Sequence, residues 1–433
     1  MTLELPSQSL RPVGGEPEQP CCEGEGDSER PPEPTTCALV QASTLDGLRD
    51  EARGLLARLE AGERGLLRAG GAGSLRAAFA GDELGRLEAL AHGAARSPRP
   101  RTQPAPLAFL FPGQGAQRPA AAAWWSERPA FAEALAECAA VLDPHLPRPL
   151  RALLVDPDPG VDLGQTALTQ PLLVAFGVAL AAQWRAWGVA PTWVTGHSLG
   201  ELCAAWAASC CTTRELLELS LERGRAMQAL PAGAMAVVFA EPARVEGLLA
   251  DLGGEAWVAA RNGAADAVIA GPSAAVERAR RLATLEGLEV RPLEVSFAAH
   301  GPAVEPALPG LEAAARRVSW SPPRVGWVST ATAGAMLAPP DALHWRNQTR
   351  RPVRFADSLA TLRKKGVEVF LELGPGASLT RLAAGQVGGA TCLASAAGEA
   401  EPAAHVAAVA ARLWERGIAV DWERVSEDLG LPR

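Results

Sequence analysis

Residues 194–202 read Val-Thr-Gly-His-Ser-Leu-Gly-Glu-Leu. An apolar strand here runs into Gly-x-Ser-x-Gly and then into an alanine-rich helix, and few patterns constrain a fold as tightly. The arrangement holds one hydroxyl, that of Ser198, on a tight turn that points it into solvent at the positive end of a helix. Gly196 and Gly200 let the chain turn sharply and let a substrate approach the backbone. A serine held this way is poised to be acylated. The same five residues alone are common enough by chance to mark a purely structural turn; the flanking strand and helix favour the functional reading.

The chain of 433 residues has room for two or three domains. Residues 1–37 form an acidic, Pro/Gly-rich tail with little to bury and are expected to be disordered. Residues 38–106 read as a helical, linker-like segment. Leu48, Leu55, Leu56 and Leu59 fall at helical spacing, a second helix spans Leu75 to Ala91, and Pro98, Pro100, Pro104 and Pro106 mark a linker. From Leu107, strands alternate with helices: a strand at 107–111, helices near 129–142 and 170–187, the strand feeding the elbow, and the helix behind it. Pro171 is placed near the first turn of the helix at 170–187. This alternation predicts an α/β fold, a hydrolase-like parallel-sheet domain over residues 107–233 and 298–395. Residues 234–297 interrupt it with β-α-β-β-α-β order, which predicts an inserted ferredoxin-like subdomain. Residues 396–433 read as a C-terminal linker-like helix.

Composition excludes several classes. A net charge of −8 without a basic patch argues against nucleic acid as the main partner. The eight cysteines show no CxxC spacing and no zinc-ligand pattern, so free thiols in a cytoplasmic protein and no metal are expected. No signal-peptide pattern opens the chain and no run approaches 18 apolar residues, so no membrane span is expected.

A serine nucleophile needs a base. His197 sits in the elbow itself and reads as local packing. His92, His145, His344 and His405 have no motif around them and read as surface or partly buried residues. His300, in Ser296-Phe297-Ala298-Ala299-His300-Gly301-Pro302, lies where the inserted unit rejoins the larger one, a place where pockets form. From position alone it serves equally well as base or bystander.

Six stretches occur in order: Phe109-Leu110-Phe111-Pro112-Gly113-Gln114-Gly115-Ala116-Gln117, Thr169-Gln170-Pro171, Gly196-His197-Ser198-Leu199-Gly200-Glu201, Arg223-Gly224-Arg225-Ala226-Met227-Gln228, Arg351-Pro352-Val353-Arg354-Phe355, and Glu372-Leu373-Gly374-Pro375-Gly376. Together they resemble the malonyl-CoA:acyl-carrier-protein transacylase family, most closely the acyltransferase domains of type I polyketide synthases. The resemblance covers about residues 107–395. Residues 38–60 and 417–422 are similar to the linkers that flank such domains.

The resemblance implies roles. Ser198 is the nucleophile and His300 the base, oriented by the backbone carbonyl of Arg354. The N–H groups of Gln114 and Leu199 form the oxyanion hole. Arg223 binds the free carboxylate of a malonyl group; without the resemblance it would read as a surface arginine on an amphipathic helix. Gln170, Phe297 and Ala299 complete the substrate site. No bound cofactor or metal is implied: acyl-coenzyme A is a substrate, and the partner is an acyl carrier protein bearing phosphopantetheine, with a ketosynthase-containing synthase as a further partner.

Phe297-Ala298-Ala299-His300 matches neither the His-Ala-Phe-His typical of malonyl-selecting domains nor the Tyr-Ala-Ser-His of methylmalonyl-selecting ones. Leu199 favours malonyl, so the signals conflict. The alternatives are a proofreading acyl hydrolase of the same fold and a non-catalytic docking module. No ketosynthase or carrier segment is visible, which favours a free-standing protein acting in trans. The linker-like flanks suggest descent from a multidomain synthase.

Overall fold

The computed structural model of the protein describes residues 36–70, 75–80, 84–92, 101, 103–397 and 401–431. The expected disorder of residues 1–37 therefore concerns, apart from Thr36 and Cys37, residues outside that description. Cys37 itself opens a strand.

The segment 38–106 is not simply helical. Strands β1 (Cys37–Ala42), β2 (Leu66–Ala69) and β3 (Leu75–Ala80) form a sheet of order β2-β1-β3, with helices Leu45–Glu60 and Leu84–Ala91 against it. The helix read over Leu75–Ala91 thus begins only at Leu84. Leu75, Ala77 and Phe79 alternate into one small core with Val40 and Leu48, the period-2 burial of a strand. Pairing with β1, more than 30 residues earlier, outweighs local helix propensity.

β4 (Leu107–Phe111) and β5 (Trp193–Gly196) begin the main sheet and pair in parallel. Between them run helices Pro129–Leu142, Leu150–Val155 and Thr166–Ala186. The last starts at Thr166, so Pro171 lies one turn inside it rather than in its first turn. This helix is long and apolar enough to cross a membrane by length and composition, but most of it is buried in the protein core. Its Phe176 and Trp184 pack with Phe131 and Trp187. A helix buried all round is hydrophobic all round.

After helices Gly200–Ala207 and Thr213–Gln228 the chain builds a second sheet from β6 (Ala234–Val238), β7 (Trp257–Gly263), β8 (Asp266–Gly271) and β9 (Val290–Pro292). Helices Pro242–Asp251 and Ser273–Leu285 connect them. The order is β7-β8-β6-β9 and every pairing is antiparallel. The chain then returns through β10 (Gly326–Trp327), β11 (Val369–Glu372) and β12 (Thr391–Ala394). These complete a five-stranded parallel sheet of order β10-β5-β4-β11-β12. β4, β5 and β11 are mostly apolar and almost fully buried, as parallel strands covered on both faces must be.

The C-terminal segment holds two helices, Pro402–Glu415 and Trp422–Leu429. Glu415 accepts the Ala78 N–H at 2.9 Å, tying the end of the chain to the first small sheet. Asp428 accepts from Gln183 Nε2 at 2.9 Å and Trp187 Nε1 at 2.8 Å.

Candidate active site

The elbow forms where β5 ends. Ser198 has φ of 51°, the left-handed region that a non-glycine residue adopts only when its surroundings enforce it. Both flanking glycines are required by close approach. A Cβ on Gly196 would lie 2.0 Å from the Gly200 carbonyl oxygen, and one on Gly200 would lie 2.0 Å from the Phe111 carbonyl oxygen. The loop after β4 packs against this turn, with the Cα of Gly113 so near the His197 carbonyl that a Cβ there would meet it at 2.7 Å. Among the described residues, neither the Gln114 nor the Leu199 N–H donates to another protein group. Leu199 stands at the start of helix Gly200–Ala207, where N–H groups lack intrahelical partners, and Gln114 follows the glycine that packs against the elbow.

His300 comes to Ser198 from the far side, 102 residues along the chain. Its Nε2 lies 2.7 Å from Ser198 Oγ. It too has positive φ, 54°. Trp257 of β7 fixes its loop: the indole N–H donates to the Ala299 carbonyl at 2.9 Å, and Gly301 lies so close that a Cβ there would meet the ring at 1.9 Å. The imidazole is buried, and its pKa is pushed down to about 3. Desolvation is the main cause, and the nearby Arg223 and His197 add to it; carbonyls of Arg351 and Gln348 pull the other way.

The carbonyl that holds His300 is that of Arg351, not of Arg354. His300 Nδ1 donates to it at 3.0 Å. Arg354 is the N-cap of helix Phe355–Lys364, and its carbonyl is already engaged by the Ser358 N–H at 3.0 Å and hydroxyl at 2.9 Å. Arg351 follows helix Ala342–Arg350 in an extended conformation, φ −89° and ψ 156°. Pro352 imposes that geometry on the residue before it, so the sequence held the signal for this placement.

Arg223 lies on helix Thr213–Gln228, whose start carries a capping box between Thr212 and Glu215. Gly224 lets this helix approach helix Thr166–Ala186 closely. Far from being a surface arginine, Arg223 is only 4% exposed. Its Nη1 donates to Gln170 Oε1 at 2.8 Å; Gln170 in turn faces Gln114 Oε1 at 3.4 Å, and Gln114 Nε2 donates to Thr166 Oγ1 at 3.1 Å. Among the described residues Arg223 Nε has no partner, and Nη2 has only a 3.5 Å contact to Ser198 Oγ. One edge of a buried guanidinium is thus left unfilled beside the serine. Burial pushes its pKa down to about 10, with Glu201 opposing, so it stays charged at neutral pH. Phe297 and Ala299 are buried against Met227, Val304 and Leu308 on the same side.

His197 packs as the sequence predicts: half-buried, edge-on to Phe355, with Nε2 2.8 Å from Asn262 Oδ1. Sequence reasoning missed Gln348, whose Nε2 donates to the Ser198 carbonyl at 2.8 Å. It also missed Thr330 and the buried carboxylate of Glu201, whose Oε2 accepts the Thr330 hydroxyl at 2.6 Å and N–H at 3.2 Å. Among the described residues no group of three or more His, Cys, Asp or Glu side chains is placed to hold a metal ion.

Comparison with known proteins bears on this geometry. A family model described as an acyl transferase domain matches residues 108–406. Polyketide synthase GfsA of Streptomyces halstedii is 37% identical over 419 residues, covering 89% of this chain. The chain spans 6% of the length of that synthase. The acyltransferase domain from the second module of the salinomycin polyketide synthase is similar with a TM-score of 0.72 and 33% identity, over 90% of this chain and 85% of that one. An acyl carrier protein S-malonyltransferase from Vibrio cholerae O1 biovar eltor is similar with a TM-score of 0.61 and 30% identity, over 67% of this chain and 97% of that one.

Proposed function

The chain belongs to the acyl transferase domain family, and from that premise we propose that it moves a malonyl-type group from coenzyme A to the phosphopantetheine thiol of an acyl carrier protein, in polyketide or fatty acid biosynthesis. The observation that carries this reading is the open edge of the buried Arg223 guanidinium beside Ser198. Nε and Nη2 share that edge, and a planar carboxylate fills it bidentately. A buried cation lacking its last hydrogen-bond partners is costly unless a ligand supplies them. An acyl chain without a carboxylate leaves the fork empty, which disfavours the hydrolase reading.

In this reading His300 Nε2 takes the Ser198 hydroxyl proton as Oγ attacks the thioester carbonyl. Nδ1–H stays bonded to the Arg351 carbonyl, which sets the tautomer. The N–H groups of Gln114 and Leu199 receive the tetrahedral oxyanion. Collapse expels coenzyme A as its thiol, with the proton returned from His300, and leaves the ester on Ser198. The carrier thiol then repeats the steps in reverse. Residues 107–233 and 298–395 act as the acyltransferase body, and we read the four-stranded unit 234–297 as a ferredoxin-like insertion whose exit carries the base. A panel of acyl-CoA thioesters read by intact-protein mass tests the assignment: malonyl should add to the protein much faster than acetyl.

Because His300 is held near 3, it is neutral well below the usual imidazole value. The acylation rate should therefore show no inflection near pH 6.5; a rate that falls with a midpoint there contradicts a buried neutral base. Stability follows the same linkage. Between about pH 3 and 6.5 the unfolded chain binds one more proton at this position, so its contribution to stability declines as pH falls through that window. Chemical denaturation across that range measures it.

Acyl choice is the finer question. Ala299 leaves room beside the α-carbon that a phenyl ring would take, while Leu199 favours malonyl, so we propose malonyl as main substrate with some methylmalonyl accepted. A single methyl is worth about 1–3 kcal/mol of discrimination. In competition between equimolar malonyl- and methylmalonyl-CoA, Ala299→Phe should shift the product ratio toward malonyl. An unchanged ratio removes position 299 from the selectivity argument.

A further inference from the structure

Helix Ala342–Arg350 and the residue after it touch the reactive pair at two points. Gln348 donates to the Ser198 carbonyl at 2.8 Å, and the Arg351 carbonyl holds His300 Nδ1 at 3.0 Å. His344 lies one turn before Gln348 on the same face, since residues four apart stack along a helix. Its Nε2 stands 3.3 Å from Oε1 of Glu201, the residue that follows the elbow. Both atoms are buried, and among the described residues neither has a hydrogen-bond partner. His344 is walled in by Trp327 and Trp345, both edge-on to its ring. The other Glu201 oxygen accepts the Thr330 N–H at 3.2 Å and lies 2.6 Å from the Thr330 hydroxyl, whose single proton is shared between it and the Gly196 carbonyl at 2.9 Å; the Thr330 carbonyl accepts the Arg354 N–H at 2.8 Å. Glu201 is therefore the node where the elbow, the segment leading to helix Phe355–Lys364 and helix Ala342–Arg350 meet.

We propose that His344 is a positioning residue for the acyl transfer: it carries a proton on Nε2, donates it to Glu201, and so fixes the register of helix Ala342–Arg350 against the nucleophile elbow. Two buried polar atoms left facing each other unbonded would each carry a desolvation cost, and one proton between them removes both. With that bond, Gln348 and the Arg351 carbonyl present themselves to Ser198 and His300 at the observed distances. Without it, the helix has only its far end tied to the elbow, and the 2.7 Å contact between Ser198 and His300 loosens. The inference rests on Ser198 and His300 being the reactive pair.

Two measurements test it. Histidine-selective nitrogen-15 NMR of the unmodified protein at pH 7 reports which His344 nitrogen bears a proton; a protonated Nε2 is expected, and an unprotonated Nε2 overturns the proposal whatever the enzyme's activity. In kinetics with malonyl-CoA, His344→Phe should lower kcat about tenfold with KM unchanged, and His344→Gln, which keeps an N–H at the same reach, should restore most of that loss. Equal losses in both variants, or none in either, would overturn it. The reading of Ser198 fails separately, through an adduct that persists when Ser198 is replaced.

Discussion

Ser198→Ala removes the acyl-enzyme adduct altogether. The hydroxyl is the group of the elbow that hydrogen-bonds His300, and deleting one oxygen at the turn leaves the backbone around it supported by Gln348 and by the glycine contacts on either side. The fold should therefore persist, which circular dichroism and thermal melting can check beside the mass spectrum. His300→Ala keeps the nucleophile but deletes its base, and acylation should slow by roughly two to four orders of magnitude, the usual worth of a positioned proton acceptor. An adduct of unchanged yield on the alanine variant at 198 would mean that another residue carries the acyl group.

Arg223→Ala carries the second large effect. In the proposed reading the buried fork beside Ser198 holds the free carboxylate, and its loss should cost about 2–5 kcal/mol for malonyl transfer, roughly 30- to 5,000-fold in rate. Transfer of acetyl or longer monocarboxylic groups should survive or rise, because these never used the fork. Arg223→Lys should recover only part of the loss, since a point charge cannot fill both hydrogen bonds of a planar carboxylate. Rates of malonyl and acetyl transfer, measured side by side on the three proteins, separate recognition from structure: equal loss for both substrates marks Arg223 as a packing residue.

The parts of this site that the sequence announces are those encoded within a few residues. The elbow is legible because two glycines, a serine and the following helix lie in one short stretch, and the backbone contacts at Gly196 and Gly200 show why no other residue serves there. Arg223 and Gln170 are legible as motif residues, but their burial and mutual bond depend on two helices packing 53 residues apart. The support behind the pair was not legible. Glu201 meets Thr330 across 129 residues, and Gln348 meets Ser198 across 150. No local periodicity marks such pairings, and a polar residue at an unremarkable helical position looks solvated until its neighbours are known. Helix capping decides between Arg351 and Arg354: the carbonyl at 354 begins a helix, and the one at 351 is left to accept from His300. The strand at Leu75–Ala80 was missed for a related reason, because its partner lies far back along the chain and its alanine content suits a helix equally well.

The central claim is that an acyl group rests on Ser198 and leaves to a thiol rather than to water. Its most direct test loads the protein with labelled malonyl-CoA, removes free coenzyme A thioester, and follows the adduct by intact mass with and without a phosphopantetheine-bearing carrier protein. The expected result is a malonyl adduct on Ser198 that is stable alone and moves to the carrier thiol when the carrier is added. Discharge to free malonate at the same rate with or without the carrier would contradict it and identify a hydrolase.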